Sequence, residues 1–417
     1  MEKLAINGGK PVRTKPFPRP AGKRFGKEEK KQLKEAIDSG VLFGPGGTKV
    51  KEFEKRFAKY YGKKYCVTTN SGTAAIHTAL GALKIKPGDE IITSCVTDMG
   101  TIAPIFLANA IPVLCDIDEQ TYNMDPSKIE QLITPRTRAI IVVHLCGQSC
   151  DMDPIRELAK KHSLFLIEDC AQSYMSVYKG KINGTMTDIG CFSLNDCKHI
   201  SCGEGGILLT DDPEIAKRAA LFRDKCYYRD GSSRNPKFMA PNYRMSELQG
   251  AVAIAQLGKL KSIIQRRRKL CRALTKMLSN IPGIEPPKEM SCGEHSYFAY
   301  FVRVDENTLG VSTQEFSDAL SKEGIPQNCQ YLDAPIYLYE VFQEKNIHGE
   351  TSCPYGCISY KARDISYPKG LCPVAERIMK LKLIFNIKEY FTMDDVKDIA
   401  EGIKKVTDCF YSKKQGK

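Results

Sequence analysis

The chain has 417 residues, 42% of them hydrophobic, and a formal net charge of +13. That length supports two domains with cores of their own and excludes a small stapled module. No apolar run approaches the ~18 residues a bilayer span needs, no opening segment reads as a secretion signal, and the seventeen cysteines are scattered without C-x₂-C repeats, so free thiols in the cytoplasm are expected.

In chain order, residues 1–24 carry many prolines and little periodicity. Lysine-rich helical patterns at 27–34 and 49–59 account for much of the positive charge as solvated faces, although the excess would also draw in an anionic substrate. The short strand Tyr65-Cys66-Val67 runs into Thr69-Asn70-Ser71-Gly72-Thr73 and then into a good helix former. A small-residue turn thus meets a helix N-terminus, where free N–H groups and the helix dipole favour a phosphate; Gly72 admits a close approach and the Thr73 hydroxyl can donate. Read alone, the turn is an ordinary Ser/Thr cap.

Strands are predicted at 90–95, 139–144, 164–168, 189–193 and 207–210, with helices at 153–162 and 212–223. This alternation up to about Leu257 implies an α/β fold with a mostly parallel sheet flanked by helices. The run Leu164-Phe165-Leu166-Ile167 would deliver Asp169 to a strand's carboxyl end, where open α/β sheets bind ligands. Residues 246–278 read as one long helix or a pair; Arg266-Arg267-Arg268-Lys269 within it reads as a solvated face, with nothing beside it to suggest nucleic acid. A new composition begins at Pro282-Gly283. A strand-like stretch at 297–304, a helix opened by the capping box Ser312/Glu315 and a closing helix at 392–406 define a smaller α+β domain. Between them, Tyr331 to Leu371 is long and irregular, holds six tyrosines and is expected to face a substrate. His348 in that loop and His144 at a strand end are weak site candidates.

Asp169 and Lys198 carry the chemistry. A pyridoxal phosphate enzyme holds its cofactor as a Schiff base on a lysine and keeps the pyridine nitrogen protonated with a buried carboxylate. Lys198, in a polar turn, and Asp169 suit those roles, and Ser193 could add a phosphate donor. A lysine that serves as base must lose its proton near neutral pH, which arginine cannot do.

The segments NSGTAAIHTAL, PGDEIIT, PRTRAIIVVHLCG, EDCAQS, FSLNDCKHISCGEGG and PNYRMSELQGAVAIAQL resemble, in order, the motifs of the DegT/DnrJ/StrS sugar aminotransferase family. The resemblance runs from LAINGGKPVR to the closing helix and implies a fold type I aminotransferase. It makes Lys198 the Schiff-base lysine, Asp169 the pyridinium partner, Gln172 a neighbour of the ring, and Gly72, Thr73 and Ser193 the phosphate holders. Asn242 of the NYR motif would reach the phosphate of a neighbouring subunit's cofactor, which implies a homodimer with shared sites; no metal site is expected, since the cysteines lack zinc-site spacing. One departure stands out: where the family has an aromatic that packs on the ring, this chain has Asp98 after Thr97.

The resulting expectation is amino transfer from glutamate or glutamine to a keto-sugar, nucleotide- or phosphate-linked, or to a keto-cyclitol. Residues 1–24 would lie on the smaller domain, 25–260 form the cofactor-binding domain and 261–417 the small domain. Two alternatives are a pyridoxal phosphate-dependent sugar dehydratase, in which histidine replaces the lysine, and a regulatory protein with a degenerate aminotransferase fold.

Overall fold

The structure is a computed structural model that describes residues 2–20, 22, 24–329, 332–349 and 351–416; Met1, Ala21, Lys23, Gln330, Tyr331, Glu350 and Lys417, on which parts of the expected segments fall, lie outside the described residues. A seven-stranded sheet runs in the order Tyr65–Thr69, Gly206–Thr210, Ile189–Ser193, Phe165–Asp169, Thr137–Val143, Glu90–Ser94, Ile111–Cys115. The five strands from Ile189–Ser193 to Ile111–Cys115 pair in parallel, and Gly206–Thr210 runs against both its neighbours. Inner strands buried on both faces must be apolar throughout, which is why runs such as Thr137–Val143 lack alternation.

The strand Ile111–Cys115 and the helix Met99–Leu107 were not among the predicted elements. Prolines hide both. Pro112 is tolerated because its strand is an edge, paired on one side by Glu90–Ser94, and Pro104 forgoes one ladder bond inside a nine-residue helix.

A single 32-residue helix, Glu247–Leu278, links two cores. Its first half packs Ala253, Ile254, Leu257, Leu260 and Ile264 with Phe57, Phe192 and Leu194 against the sheet. Its second half packs Leu270, Leu274 and Leu278 with Val302, Phe316, Leu383 and Ile403 around a small antiparallel sheet, Ile284–Glu285, Tyr300–Val304 and Lys382–Phe385. Of the basic run at the crossing, Lys269 is exposed but the three arginines are not a solvated face. Arg267 is 2% exposed and bonds Glu389 Oε2 at 2.8 Å, Arg266 donates to the Phe391 carbonyl at 2.9 Å, and Arg268 to the His295 carbonyl at 2.9 Å. These guanidinium groups satisfy carbonyls and a carboxylate in the seam between the cores, where an unpaired charge would be costly.

The N-terminal segment is pinned to the second core: Leu4 is buried there, Glu323 accepts from the Ala5 and Val12 amides at 2.8 and 3.1 Å, Arg13 pairs with Asp395 at 2.8 Å, and Phe17 stacks on Phe391. Three of the five described tyrosines in the tyrosine-rich region differ from expectation. Tyr337, Tyr355 and Tyr367 are buried with Phe342 against Phe106, and the Tyr367 hydroxyl donates to the Pro112 carbonyl at 2.6 Å, so these rings build a core behind the helix Met99–Leu107. Among the described residues no helix is long and apolar enough to cross a membrane.

Lys382 is fully buried, with its ammonium 4.1 Å from the Tyr122 ring centre and 4.9 Å from that of Phe301, and no hydrogen-bond partner among the described residues. Burial pulls its pKa down to about 8. The folded chain therefore releases this proton before the unfolded chain does, and stability rises as pH climbs from about 8 toward the unfolded value of about 10.4. With the ring contacts offsetting part of that cost, Lys382→Met is expected to stabilise the chain by about 1–2 kcal/mol at pH 7, and the gain should shrink by pH 10. Chemical denaturation at the two pH values measures this.

Candidate active site

Sheet register gathers three segments at one edge. Asp169 ends its strand level with Val143 and Cys191, while Ser193 pairs with Gly206, which pairs in turn with Thr69. The chain leaving Thr69 therefore passes beside Ser193. A Cβ at Gly206 would lie 1.9 Å from the Ser71 carbonyl oxygen, so glycine is required for that approach.

Ser71 caps the helix Gly72–Ala82 by accepting from the Ala74 amide at 3.0 Å. The Gly72 and Thr73 amides, in the first turn, have no intrahelical partner by position. A Cβ at Gly72 would lie 2.7 Å from Ser193 Cβ, so this helix end and Ser193 share one small concavity that only glycine leaves open.

Asp169 is 6% exposed. Its Oδ2 accepts from the Thr101 hydroxyl at 2.7 Å and its Oδ1 from the Ala171 amide at 3.0 Å. The Thr101 hydroxyl also contacts that of Thr97 at 2.7 Å. Burial raises the Asp169 pKa, with Thr101, Ala171 and Lys198 opposing. Two neutral donors leave a buried carboxylate short of compensation, and a cation opposite would supply it. Asp98, exposed at the same cleft, caps the helix Met99–Leu107 by accepting from the Gly100 amide at 2.7 Å. Its acidic side chain thus starts the helix that carries Thr101 to Asp169.

Lys198 sits in a turn closed by its own amide on the Asn195 carbonyl at 3.0 Å, with its ammonium 4.8 Å from the Phe298 ring centre. Arg24 donates to the carbonyls of Asp196 and Lys198, tying the N-terminal segment to this turn. The neighbouring His199 is fully buried between Tyr174 and Phe298 with Nε2 on the Ser296 carbonyl at 3.1 Å, and burial lowers its pKa well below the usual value. It is a neutral packing residue. His144 is likewise structural: Nδ1 accepts from the Cys150 amide at 3.1 Å, so Nε2–H donates to Glu168 at 3.0 Å. His348 is exposed.

Gly72, Thr73, Asp169, Gln172, Ser193 and Lys198 all line one cleft of about 270 Å³, together with Thr97, Asp98 and Thr101. Gln172 Oε1 accepts from the Cys146 amide at 2.8 Å, which fixes that side chain in the wall. Asn242 stands apart: it is exposed, bridges Asp224 and does not line the cleft. The residues fit pyridoxal phosphate, with a helix end and a glycine-made concavity for the phosphate, a buried carboxylate for the ring nitrogen and a lysine between them. Sequence reasoning missed Thr101, Arg24 and Phe298. Only Thr101 had a signal, its i,i+4 spacing from Thr97.

The family model for the DegT/DnrJ/EryC1/StrS aminotransferase family matches residues 23–363. The chain is 36% identical over 354 residues to the spore coat polysaccharide biosynthesis protein SpsC of Bacillus subtilis, covering 82% of this chain and 90% of that protein. It is also 36% identical over 313 residues to GDP-perosamine synthase of Caulobacter vibrioides, covering 73% and 83%. Among solved structures, S. venezuelae DesV in complex with a ketimine intermediate superposes with a TM-score of 0.80 at 28% identity, over 91% of this chain and 94% of that one. DesI in the presence of its TDP-sugar product gives a TM-score of 0.83 at 25% identity, over 99% and 98%.

Gly72→Ala is expected to weaken pyridoxal phosphate binding about tenfold while leaving the far-ultraviolet circular dichroism unchanged, since the added methyl overpacks the concavity at a cost of about 1–3 kcal/mol. An absorbance titration with the cofactor measures it.

Proposed function

This chain belongs to the DegT/DnrJ/EryC1/StrS aminotransferase family, and from that premise we propose that it transfers an amino group from glutamate or glutamine to a keto-sugar or keto-cyclitol. Its cofactor is pyridoxal phosphate, which when bound supplies an electron-accepting ring and carries the amino group between the two half-reactions. The observation that carries the reading is the convergence of Lys198, Asp169 and the start of the helix Gly72–Ala82 on one cleft.

In this reading Lys198 would anchor the cofactor through its amine and would serve as the base that holds or moves the proton at the donor's α-carbon. Asp169 holds the proton on the ring nitrogen, and the resulting cation keeps the buried carboxylate ionised. Thr101 and the Ala171 amide orient that carboxylate. Gln172 borders the ring, while the Gly72 and Thr73 amides, the Thr73 hydroxyl and Ser193 hold the phosphate. Asn242 serves the phosphate of a neighbouring subunit in a homodimer with shared sites. Its exposure away from its own cleft supports this, as do exposed Val41, Leu42 and Phe43, the last stacked under Arg229 and Arg244 beside the Asn242 loop.

The sugar substrate is nucleotide- or phosphate-linked in this reading. GDP-perosamine synthase and DesI with its TDP-sugar product are the precedents among relatives, and the +13 charge would attract such an anion. We further read residues 25–260 as the cofactor-binding domain, 261–417 as the small domain and 1–24 as a segment lying on the latter. The cytoplasm is the compartment that suits seventeen free cysteines.

Absorption spectra test the reaction. Wild type with pyridoxal phosphate should show the visible band of the lysine-bound cofactor, and glutamate or glutamine should bleach it. Lys198→Ala should lack that band and turn over at least about a thousandfold more slowly. A wild-type band that neither donor changes would rule out transamination from these donors.

A further inference from the structure

We propose that Lys388 binds the α-carboxylate of the amino donor, an assignment that rests on the aminotransferase reading above. Any α-amino acid whose nitrogen replaces the Lys198 amine brings its carboxylate one carbon away. That anion enters a partly buried cleft and needs a cation, and allowing for one charge-assisted hydrogen bond, the cation must lie within about 6 Å of the displaced amine.

Three cations besides Lys198 surround its turn, and two are already engaged. Arg24 is held on the carbonyls of Asp196 and Lys198. Arg267 is buried on Glu389. Lys388 differs: among the described residues its ammonium has no carboxylate within ion-pairing distance and no hydrogen bond, only the Phe298 ring, whose centre lies 5.4 Å away. The same ring lies 4.8 Å from the Lys198 ammonium, so the two ammonium groups flank one aromatic side chain and lie within about 10 Å of each other.

The backbone explains why Lys388 faces that way. It follows the strand Lys382–Phe385, and the preceding Ile387 is 1% exposed in the second core, which leaves the next side chain directed out of that core. Glu389 could have neutralised Lys388 but is drawn to Arg267 instead. Burial together with Arg267 pulls the Lys388 pKa down to about 7, the mark of a cation without an anion. Lys382, buried behind Tyr122 and Phe301 and fully inaccessible, has no comparable route to a ligand.

The test uses the holoenzyme and follows bleaching of the visible band against glutamate and glutamine concentration in wild type, Lys388→Met and Lys388→Arg. Lys388→Met is expected to raise the apparent Kd for the donor about 10- to 100-fold with an unaltered cofactor band and a little-changed limiting rate, and Lys388→Arg to stay within a few-fold of wild type. Inhibition by a nucleoside diphosphate should be the same in all three. An unchanged donor Kd in Lys388→Met, a fall in limiting rate alone, or loss of the cofactor band would overturn the assignment. Loss of nucleoside diphosphate inhibition would overturn it too, making Lys388 a phosphate residue for the acceptor. Failure of both donors to bleach wild type would instead count against the aminotransferase reading itself.

Discussion

A carboxylate buried at the end of a strand is the constraint around which this site is organised. Asp169 has two neutral donors, the Thr101 hydroxyl and the Ala171 amide, and is 6% exposed. Left there alone it tends toward protonation, and a cation opposite would keep it ionised. The neighbours follow from this need. Thr101 reaches Asp169 from the helix Met99–Leu107, whose start Asp98 caps.

The lysine on the other side of the cleft is held from a distance. Arg24 binds the carbonyls of its turn, and the N-terminal segment that carries Arg24 is itself fastened to the second core through Glu323, Asp395 and Phe391. The helix Glu247–Leu278 runs through both cores, and its arginines at the crossing tie down Glu389 and the carbonyls of Phe391 and His295. The geometry between Lys198 and Asp169 is thereby coupled to packing of residues that line no part of the cleft. Small relative shifts of the two cores would be felt at the Lys198 amine.

Much of this was legible in the chain because buried parallel strands are apolar throughout and end at small or polar residues. Residues 164–168 pointed to Asp169 in that way, and the turn at Gly72-Thr73 followed from a strand giving way to a helix former. The strand Ile111–Cys115 and the helix Met99–Leu107 were obscured by Pro112 and Pro104, which are tolerated by an edge position and a short helix. Six of the seven residues singled out in the sequence meet in one cleft, since each belongs to a strand end or the turn just beyond it. Arg24, Phe298 and Lys388 were not legible. Arg24 and Phe298 approach Lys198, and Lys388 approaches Phe298, from segments far along the chain, and nothing local marks a residue for a long-range contact. Tyrosines 337, 355 and 367 misled for the converse reason: their composition suggested a loop facing substrate, while their rings fill a core.

The pairing of Asp169 with a protonated ring nitrogen is best tested by nitrogen NMR of the enzyme loaded with pyridoxal phosphate labelled at that atom. A protonated nitrogen is expected in wild type at neutral pH, with the proton lost in Asp169→Asn, whose amide cannot hold the charge. An unprotonated wild-type nitrogen, or one that Asp169→Asn leaves unchanged, would contradict it.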